Sequence, residues 1–393
     1  MTRGKLTTLI ISSFWMMLLM GTVYAYSIFR TEVTNTYQLS TFESGLPYML
    51  SLFFYALFMM LTGRILNQKN LRYLVVLGTL LIISGFFISF ISTSFILFIF
   101  GYGVMIGSGI GIVYGIPLYI IQKSNTVKTG FLTGAVLLGF GLSPLITAPI
   151  GKLLLINYGL DQTFLIFSVI FLVTQLPLAF LFKVKFDDKE EPSSNLTLKK
   201  LLSKKFIILY ILFMLTSSIG LMMIGLSFQV GATYYAFDVH IVTYSLSIFA
   251  ICNGFARPLF GHLIDKFGLI KPSIISLLLI GIAALLGILN KGQHYGLFLL
   301  SYSLFWFNLG AWLSIMPSMV KHLYDHIDYA RVYGYLFTAY GLGAILSNLI
   351  SGSIIDLLGQ TTYLYLSILI LVSIGLYLVY RLKVVQLTKN YDL

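Results

Sequence analysis

The chain has 393 residues, of which 58% are hydrophobic and only 10% charged. Soluble domains carry about a quarter charged residues, so this composition excludes an ordinary soluble fold and belongs to a polytopic membrane protein. The net charge of +12 would suit a polyanionic partner, but the basic residues gather in alternate loops, which records topology and calls for no nucleic acid.

Twelve apolar runs, each of about the 20 residues that a crossing needs, lie near 6–29, 43–62, 72–92, 95–121, 130–155, 162–182, 206–229, 241–260, 272–289, 295–320, 333–355 and 362–380. With the N-terminus in the cytoplasm, the inner loops hold Arg3, Lys5, Arg64, Lys69, Arg72, Lys123, Lys128, Lys266, Lys271, Lys321, Arg331 and Arg381. The outer loops hold only Arg30, Lys152 and Lys291. This positive-inside bias predicts a multi-pass cell-membrane protein with both termini in the cytoplasm. The first run is too long for a signal core and no small-x-small cleavage site follows it, so it is expected to stay as a span. The single cysteine, Cys252, excludes an intramolecular disulfide.

Span one ends in Gly21-Thr22-Val23-Tyr24-Ala25-Tyr26-Ser27-Ile28-Phe29-Arg30. Tyr24 and Tyr26 cannot share a helix face, so at most one turns into a cavity, the other reading being an interfacial belt. After span two the chain reads Gly63-Arg64-Ile65-Leu66-Asn67-Gln68-Lys69-Asn70, and after span eight Gly261-His262-Leu263-Ile264-Asp265-Lys266-Phe267-Gly268. The second turn repeats the position of the first in a six-span set, which divides the chain into bundles 1–183 and 206–393. Between them lies a charged, solvated linker, 184–205, with room for a short surface helix.

Span four places Gly103, Gly107, Gly111 and Gly115 four residues apart, a face that lets two helices approach closely. No strand precedes these glycines, so they form no phosphate loop. Tyr114 flanks the glycine face and can reach a cavity, whereas Tyr119 diverges from it beyond Pro117. Span five is interrupted by Gly130, Gly134, Gly139, Gly141 and Pro144, as in bending transporter helices.

Span eight carries Asn253-Gly254-Phe255-Ala256-Arg257-Pro258. Arg257 precedes Asp265 by eight residues, about 12 Å along a helix and inside the hydrocarbon slab. It is expected to be the only Lys or Arg at such depth. An arginine there costs about 2.5–3.5 kcal/mol to insert and usually faces a water-filled cavity or a partner. Arg257 therefore either snorkels or pins a neighbouring carbonyl, or it holds an anionic substrate. Further on, Asn308 and Trp312 lie one turn apart in span ten, where both can meet a polar ligand. Span eleven contains Tyr333, Tyr335 and Tyr340. No metal cluster, catalytic triad or paired carboxylates are visible, and Glu43, Asp161 and Asp356 sit near span ends, so neither an enzyme nor a carboxylate proton relay is expected.

The two glycine-basic turns, the better one being Gly261-x-x-x-Asp265-Lys266-x-Gly268, resemble those of the major facilitator superfamily. The first copy departs from the pattern, with Asn67 in place of the aspartate. Gly21–Phe29, the glycine face with Tyr114, Gly130–Pro144, Asn253–Gly268 and Tyr333–Gly341 most resemble the oxalate/formate antiporter family and its monocarboxylate-transporter relatives. The resemblance implies an all-α integral membrane fold of twelve transmembrane helices in two pseudo-symmetric six-helix bundles, working as a monomer without a cofactor. It implies that Arg257 binds a substrate carboxylate and that Gly261, Asp265, Lys266 and Gly268 form a conformational-switch motif. Animal-type monocarboxylate carriers have an aspartate one turn before the arginine, where this chain has Asn253. The oxalate exchanger has a lysine in span eleven, where Tyr340 stands. One buried cation instead of two points to a monocarboxylate such as formate, lactate or pyruvate. The expected site is Arg257 and Asn253 with Tyr24 or Tyr26, Tyr114, Asn308, Trp312 and Tyr340. The competing expectations are an exporter of apolar or cationic compounds and a non-transporting sensor.

Overall fold

The computed structural model describes residues 3–123, 129–183, 203–324 and 329–389, and these are almost wholly helical. Eleven helices are long and apolar enough to cross a membrane. One of them, Thr129–Ala179, is broken at Gly159, whose φ of 76° and ψ of −179° lie outside helical space. Only glycine adopts that conformation readily, and it turns one helical stretch into two antiparallel spans. The twelve spans are therefore α1 (Gly4–Tyr37), α2 (Thr41–Ile65), α3 (Leu71–Phe90), α4 (Phe95–Ile121), α5 (129–158) and α6 (160–179). They continue as α7 (Lys204–Tyr234), α8 (Val239–Phe267), α9 (Ile270–Asn290), α10 (Tyr295–Leu323), α11 (Tyr329–Leu358) and α12 (Thr362–Lys389). The expected linker and its surface helix fall mostly on 184–202, outside the described residues.

An even number of spans brings both ends of the chain to one face, here termed proximal; the opposite face is distal. Within the first half, glycine sets helix spacing. A side chain at Gly107 or Gly111 of α4 would collide with the carbonyl oxygens of Ser51 and Tyr55 on α2, while one at Gly109 would collide with that of Gly78 on α3. Packing is thus the use of the α4 glycine face. Gly115 is different, since a Cβ there would meet only Met59 Cγ at 3.9 Å.

The halves meet chiefly through α2 against α11 and α5 against α8. At the distal face, Phe42 at the start of α2 is held by two side chains of α11. Its N–H donates to Asp356 Oδ2 at 3.1 Å, and its carbonyl accepts from Asn348 Nδ2 at 3.1 Å. Next to it, Ser40 and Glu43 form a reciprocal capping box that fixes the first turn of α2. At the proximal face, Arg64 Nη2 donates to the Tyr335 hydroxyl at 2.6 Å and its guanidinium lies 4.9 Å from that ring.

Arg30, which the sequence places in an outer loop, is a second buried cation besides Arg257. Helix α1 does not end at Arg30; after a 3-10 turn at Gly21–Ala25 it resumes and runs to Tyr37. Arg30 is consequently 4% exposed. Its Nε donates to Ser44 Oγ, Nη2 to the Thr41 carbonyl and Nη1 to the Gly225 carbonyl of α7 at 3.2 Å. All three nitrogens are occupied by this scaffold.

Candidate functional site

Arg257 reaches the centre because α5 and α8 cross closely. A Cβ on Gly141 would lie 2.7 Å from Gly254 Cα, and one on Gly134 would lie 3.2 Å from Pro258 Cα. This approach puts the Leu137 carbonyl of α5 2.8 Å from Arg257 Nη1. Nη2 donates to Asn253 Oδ1 at 3.1 Å, one turn back on the same helix. The Asn253 amide is itself fixed, donating to the Trp306 carbonyl at 2.8 Å, and the Trp306 indole donates to Ser227 Oγ at 2.8 Å.

Arg257 is 0% exposed, which rules out snorkelling. It does pin a carbonyl, but Nε has no partner and no carboxylate pairs with the guanidinium among the described residues. The guanidinium carbon sits 5.8 Å from the Phe140 ring centroid. The Tyr24 and Tyr114 hydroxyls lie within electrostatic range of it. Tyr24 is hydrogen-bonded to Tyr340 across the two halves at 2.7 Å. The Tyr114 hydroxyl makes no well-formed hydrogen bond.

Aromatic rings enclose this group. Phe140 contacts Tyr24, Tyr55 and Tyr114 at centroid distances of 5.1, 6.1 and 5.5 Å. From the other half, Phe337 contacts Tyr55, Tyr114 and Tyr340 at 5.1, 5.8 and 4.9 Å. The cation thus comes from the second half and most of the surrounding hydroxyls from the first. That arrangement suits a small anion bound between the halves.

Of the expected site residues, the structure brings together Arg257, Asn253, Tyr24, Tyr114 and Tyr340. Tyr26 does not join them. Its hydroxyl donates to the Ser44 carbonyl at 2.8 Å and its ring packs on Tyr48 and Tyr102, because two residues along the chain lead to a different face. Asn308 is also excluded. It accepts from Ser276 Oγ of α9 at 2.6 Å and donates to the Leu304 carbonyl at 2.7 Å, filling a polar need inside the second half. Trp312 is fully buried with an unpartnered indole N–H, and no ring or hydrogen-bond contact joins it to Arg257 among the described residues. Residues that the sequence reading missed are Tyr55, Phe140 and Phe337. Phe140 carried a usable signal, since Gly139 and Gly141 flank it at a close helix crossing.

In the last turn of α8, at the proximal face, Asp265 and Lys266 are exposed, and Gly268 caps the helix with φ 73° and ψ −176°. Gly261 faces Ser314 of α10, whose Oγ would lie 3.2 Å from a Cβ there. In the first-half copy, Asn67 Oδ1 accepts from the N–H groups of Lys69 and Asn70 at 3.0 and 3.2 Å. The amide can therefore take a local acceptor role at that turn.

The family model of the Major Facilitator Superfamily matches residues 6–244 and 214–390. The chain is 24% identical over 335 residues to the "Uncharacterized MFS-type transporter YhjX" of Escherichia coli, covering 83% of this chain and 82% of that protein. It is 23% identical over 267 residues to the "Oxalate:formate antiporter" of Oxalobacter formigenes, covering 65% of this chain and 62% of that protein.

Proposed function

This chain belongs to the major facilitator superfamily and is a membrane transporter; on that premise we propose that it carries a small organic monoanion, a monocarboxylate, anchored by Arg257. The observation that supports this most is a wholly buried guanidinium with no counter-charge and a free Nε. An uncompensated buried charge costs several kcal/mol, and a carboxylate entering between the halves removes that penalty with charge-assisted bonds. The similarity to an oxalate:formate antiporter points to the same ligand chemistry.

The number of available cations favours one carboxylate over two. Arg30, the second buried cation, lies near the distal end of α1, and its three nitrogens already have acceptors. A second carboxylate at the centre would meet Tyr340 rather than a lysine. In this reading residues 1–183 and 206–393 rock about the site, joined by 184–205, and both termini lie in the cytoplasm. Tyr24, Tyr114 and Tyr340 line the site, Asn253 orients the anchor, Trp312 shapes the cavity, and Gly261, Asp265, Lys266 and Gly268 form the switch at the proximal face. The apolar-exporter alternative receives less support, because it leaves the buried guanidinium of Arg257, which has no counter-charge, without a ligand to bind.

The test is counterflow of labelled acetate, lactate and oxalate in proteoliposomes. Arg257→Ala is expected to lose at least 100-fold in monocarboxylate exchange while still inserting, and Arg257→Lys to recover little, because a point charge cannot replace the planar fork. Undiminished exchange by the alanine variant removes the anchor role. Binding without flux by the wild type identifies a sensor.

A further inference from the structure

The three hydrogen bonds of Arg30 differ in the half of the molecule that they engage. Nε donates to Ser44 Oγ at 3.1 Å and Nη2 to the Thr41 carbonyl, both within the first half. Only Nη1 reaches across, to the Gly225 carbonyl of α7 at 3.2 Å. Asp356 is near enough to act on the charge of Arg30, but that carboxylate is exposed and spends Oδ2 on the Phe42 N–H. When the distal face opens, α7 parts from α1 and α2, and Nη1 loses its acceptor. The other two bonds stay within one half, so the guanidinium keeps its place and presents a vacated, charged N–H to the opening.

Tyr48 shares this corner. Its ring stacks on Tyr26 at 6.0 Å with an interplanar angle of 5°, and the Tyr26 hydroxyl ends on the Ser44 carbonyl. Ser44 thus braces Tyr48 through Tyr26 and Arg30 through Nε. The edge of the Tyr48 ring lies 3.1 Å from the Cβ position of Gly225, so one glycine of α7 covers both Arg30 and Tyr48. The Tyr48 hydroxyl is buried without a hydrogen-bond partner, a costly state for a phenol. It lies within electrostatic range of Arg30 on one side and of Tyr24 and Tyr340 on the other. Those two tyrosines belong to the group around Arg257. Arg30 follows Tyr24 by six residues, about 9 Å along a helix, too far for one small carboxylate to bridge from Arg30 to the centre.

Resting on the monocarboxylate reading above, we propose that Arg30 and Tyr48 form a second anion site, an outer station that holds the substrate's carboxylate when the distal face is open. Arg30 supplies the charge and its freed Nη1, and Tyr48 supplies a neutral donor on the side of the centre. In the closed form the same Nη1 is taken by a carbonyl of the other half. An anion on the station and closure of the distal face therefore exclude each other, and the carboxylate must pass on to Arg257 or leave before the halves meet. A latch alone would need only the bond to Gly225 and would give the Tyr48 hydroxyl no use.

The experiment reads the station apart from the centre, by protection of a cysteine. The full chain carrying Cys252→Ser, Thr41→Cys and Arg257→Ala lacks the central anchor and has its thiol at the residue whose carbonyl holds Arg30. In proteoliposomes, its labelling by a membrane-impermeant maleimide is followed against acetate and lactate, at an ionic strength held constant with sodium chloride. Both anions are expected to slow labelling several-fold and saturably. Adding Tyr48→Phe, which keeps the stack on Tyr26, is expected to raise the half-protecting concentration about fivefold, the worth of one neutral hydrogen bond. Arg30→Gln is expected to raise it about tenfold or more, the worth of a charge-assisted one. Labelling that neither anion slows in the Arg257→Ala parent overturns the proposal, and so does protection that both added variants leave unchanged. Failure of the monocarboxylate reading has a separate sign: the protein with Arg257 intact then exchanges neither acetate nor lactate in counterflow.

Discussion

Asn253 shows how one side chain sets the state of another. It accepts from Arg257 at 3.1 Å and donates to the Trp306 carbonyl at 2.8 Å, so it orients the guanidinium and leaves its charge intact. In Asn253→Asp the introduced carboxylate would lie at ion-pair distance from Arg257 and, when ionised, would compete with the substrate. It would also lose the donor to Trp306. Protonation reverses both effects, so stability of the pair falls and the anchor is released as pH falls through the pKa of that carboxylate. We predict at least a tenfold loss of anion exchange near neutral pH, with activity rising on acidification where the wild type is flat. A pH series of counterflow rates checks this, and a flat profile for the variant removes the argument. Arg257 was legible in the sequence because a cation inside an apolar run has few reasons to be there. The partner of Asn308 was not legible, because helical spacing says which face a residue shares and nothing about Ser276 on another helix.

Among the elements, the start of α2 has the most directional inter-half contacts. Both backbone groups of Phe42 are taken by Asp356 and Asn348, and Arg30 ties the same corner to the Gly225 carbonyl. Opening the distal face requires these bonds to exchange with water. Each contributes about 0.5–1.5 kcal/mol net, and about 1.5–3 kcal/mol where a charge is involved. Removing the Asn348 and Asp356 side chains together is therefore expected to shift the population toward a distally open conformer. In a Cys252→Ser background, a cysteine at Thr41 should react several-fold faster with a membrane-impermeant maleimide when Asn348→Ala and Asp356→Ala are present. An unchanged rate means that these bonds do not hold the face closed. None of this was visible in the chain as a sequence. Hydropathy ends span one near Phe29, whereas a 3-10 turn lets α1 continue to Tyr37 and buries Arg30 against carbonyls. Span number was legible from hydropathy, and the break at Gly159 separates spans five and six in keeping with that number.

At the scale of the whole molecule, the transport cycle is constrained by the contacts that bind the two halves to each other. Arg257 of the second half grips the Leu137 carbonyl of the first, and Tyr24 grips Tyr340. On the proposed reading, a bound carboxylate would compete for the guanidinium, so loading would loosen one of the ties that rocking must break. No span offers a central carboxylate to take up a proton in the substrate's place. We predict that counterflow at equal pH exceeds accumulation driven by an imposed pH gradient. Strong uphill uptake with the gradient alone would reveal a proton site elsewhere.

On the monocarboxylate reading proposed above, the uncompensated charge of Arg257 would also decide how the carrier meets the membrane potential. With a monoanion in place the centre would be neutral, so the reorientation that carries substrate would move little charge through the field. The empty carrier holds a net positive centre, and for it the field contributes up to about 2.3 kcal/mol per 100 mV for the full thickness, less in proportion to the part that the site traverses. Voltage then acts on the return of the empty protein and not on the loaded step. Exchange, which is loaded in both directions, would run at nearly the same rate in polarised and depolarised vesicles. Net movement would slow or quicken with the sign of a potassium diffusion potential, so the same residue that selects the anion would couple its release to the electrical state of the cell.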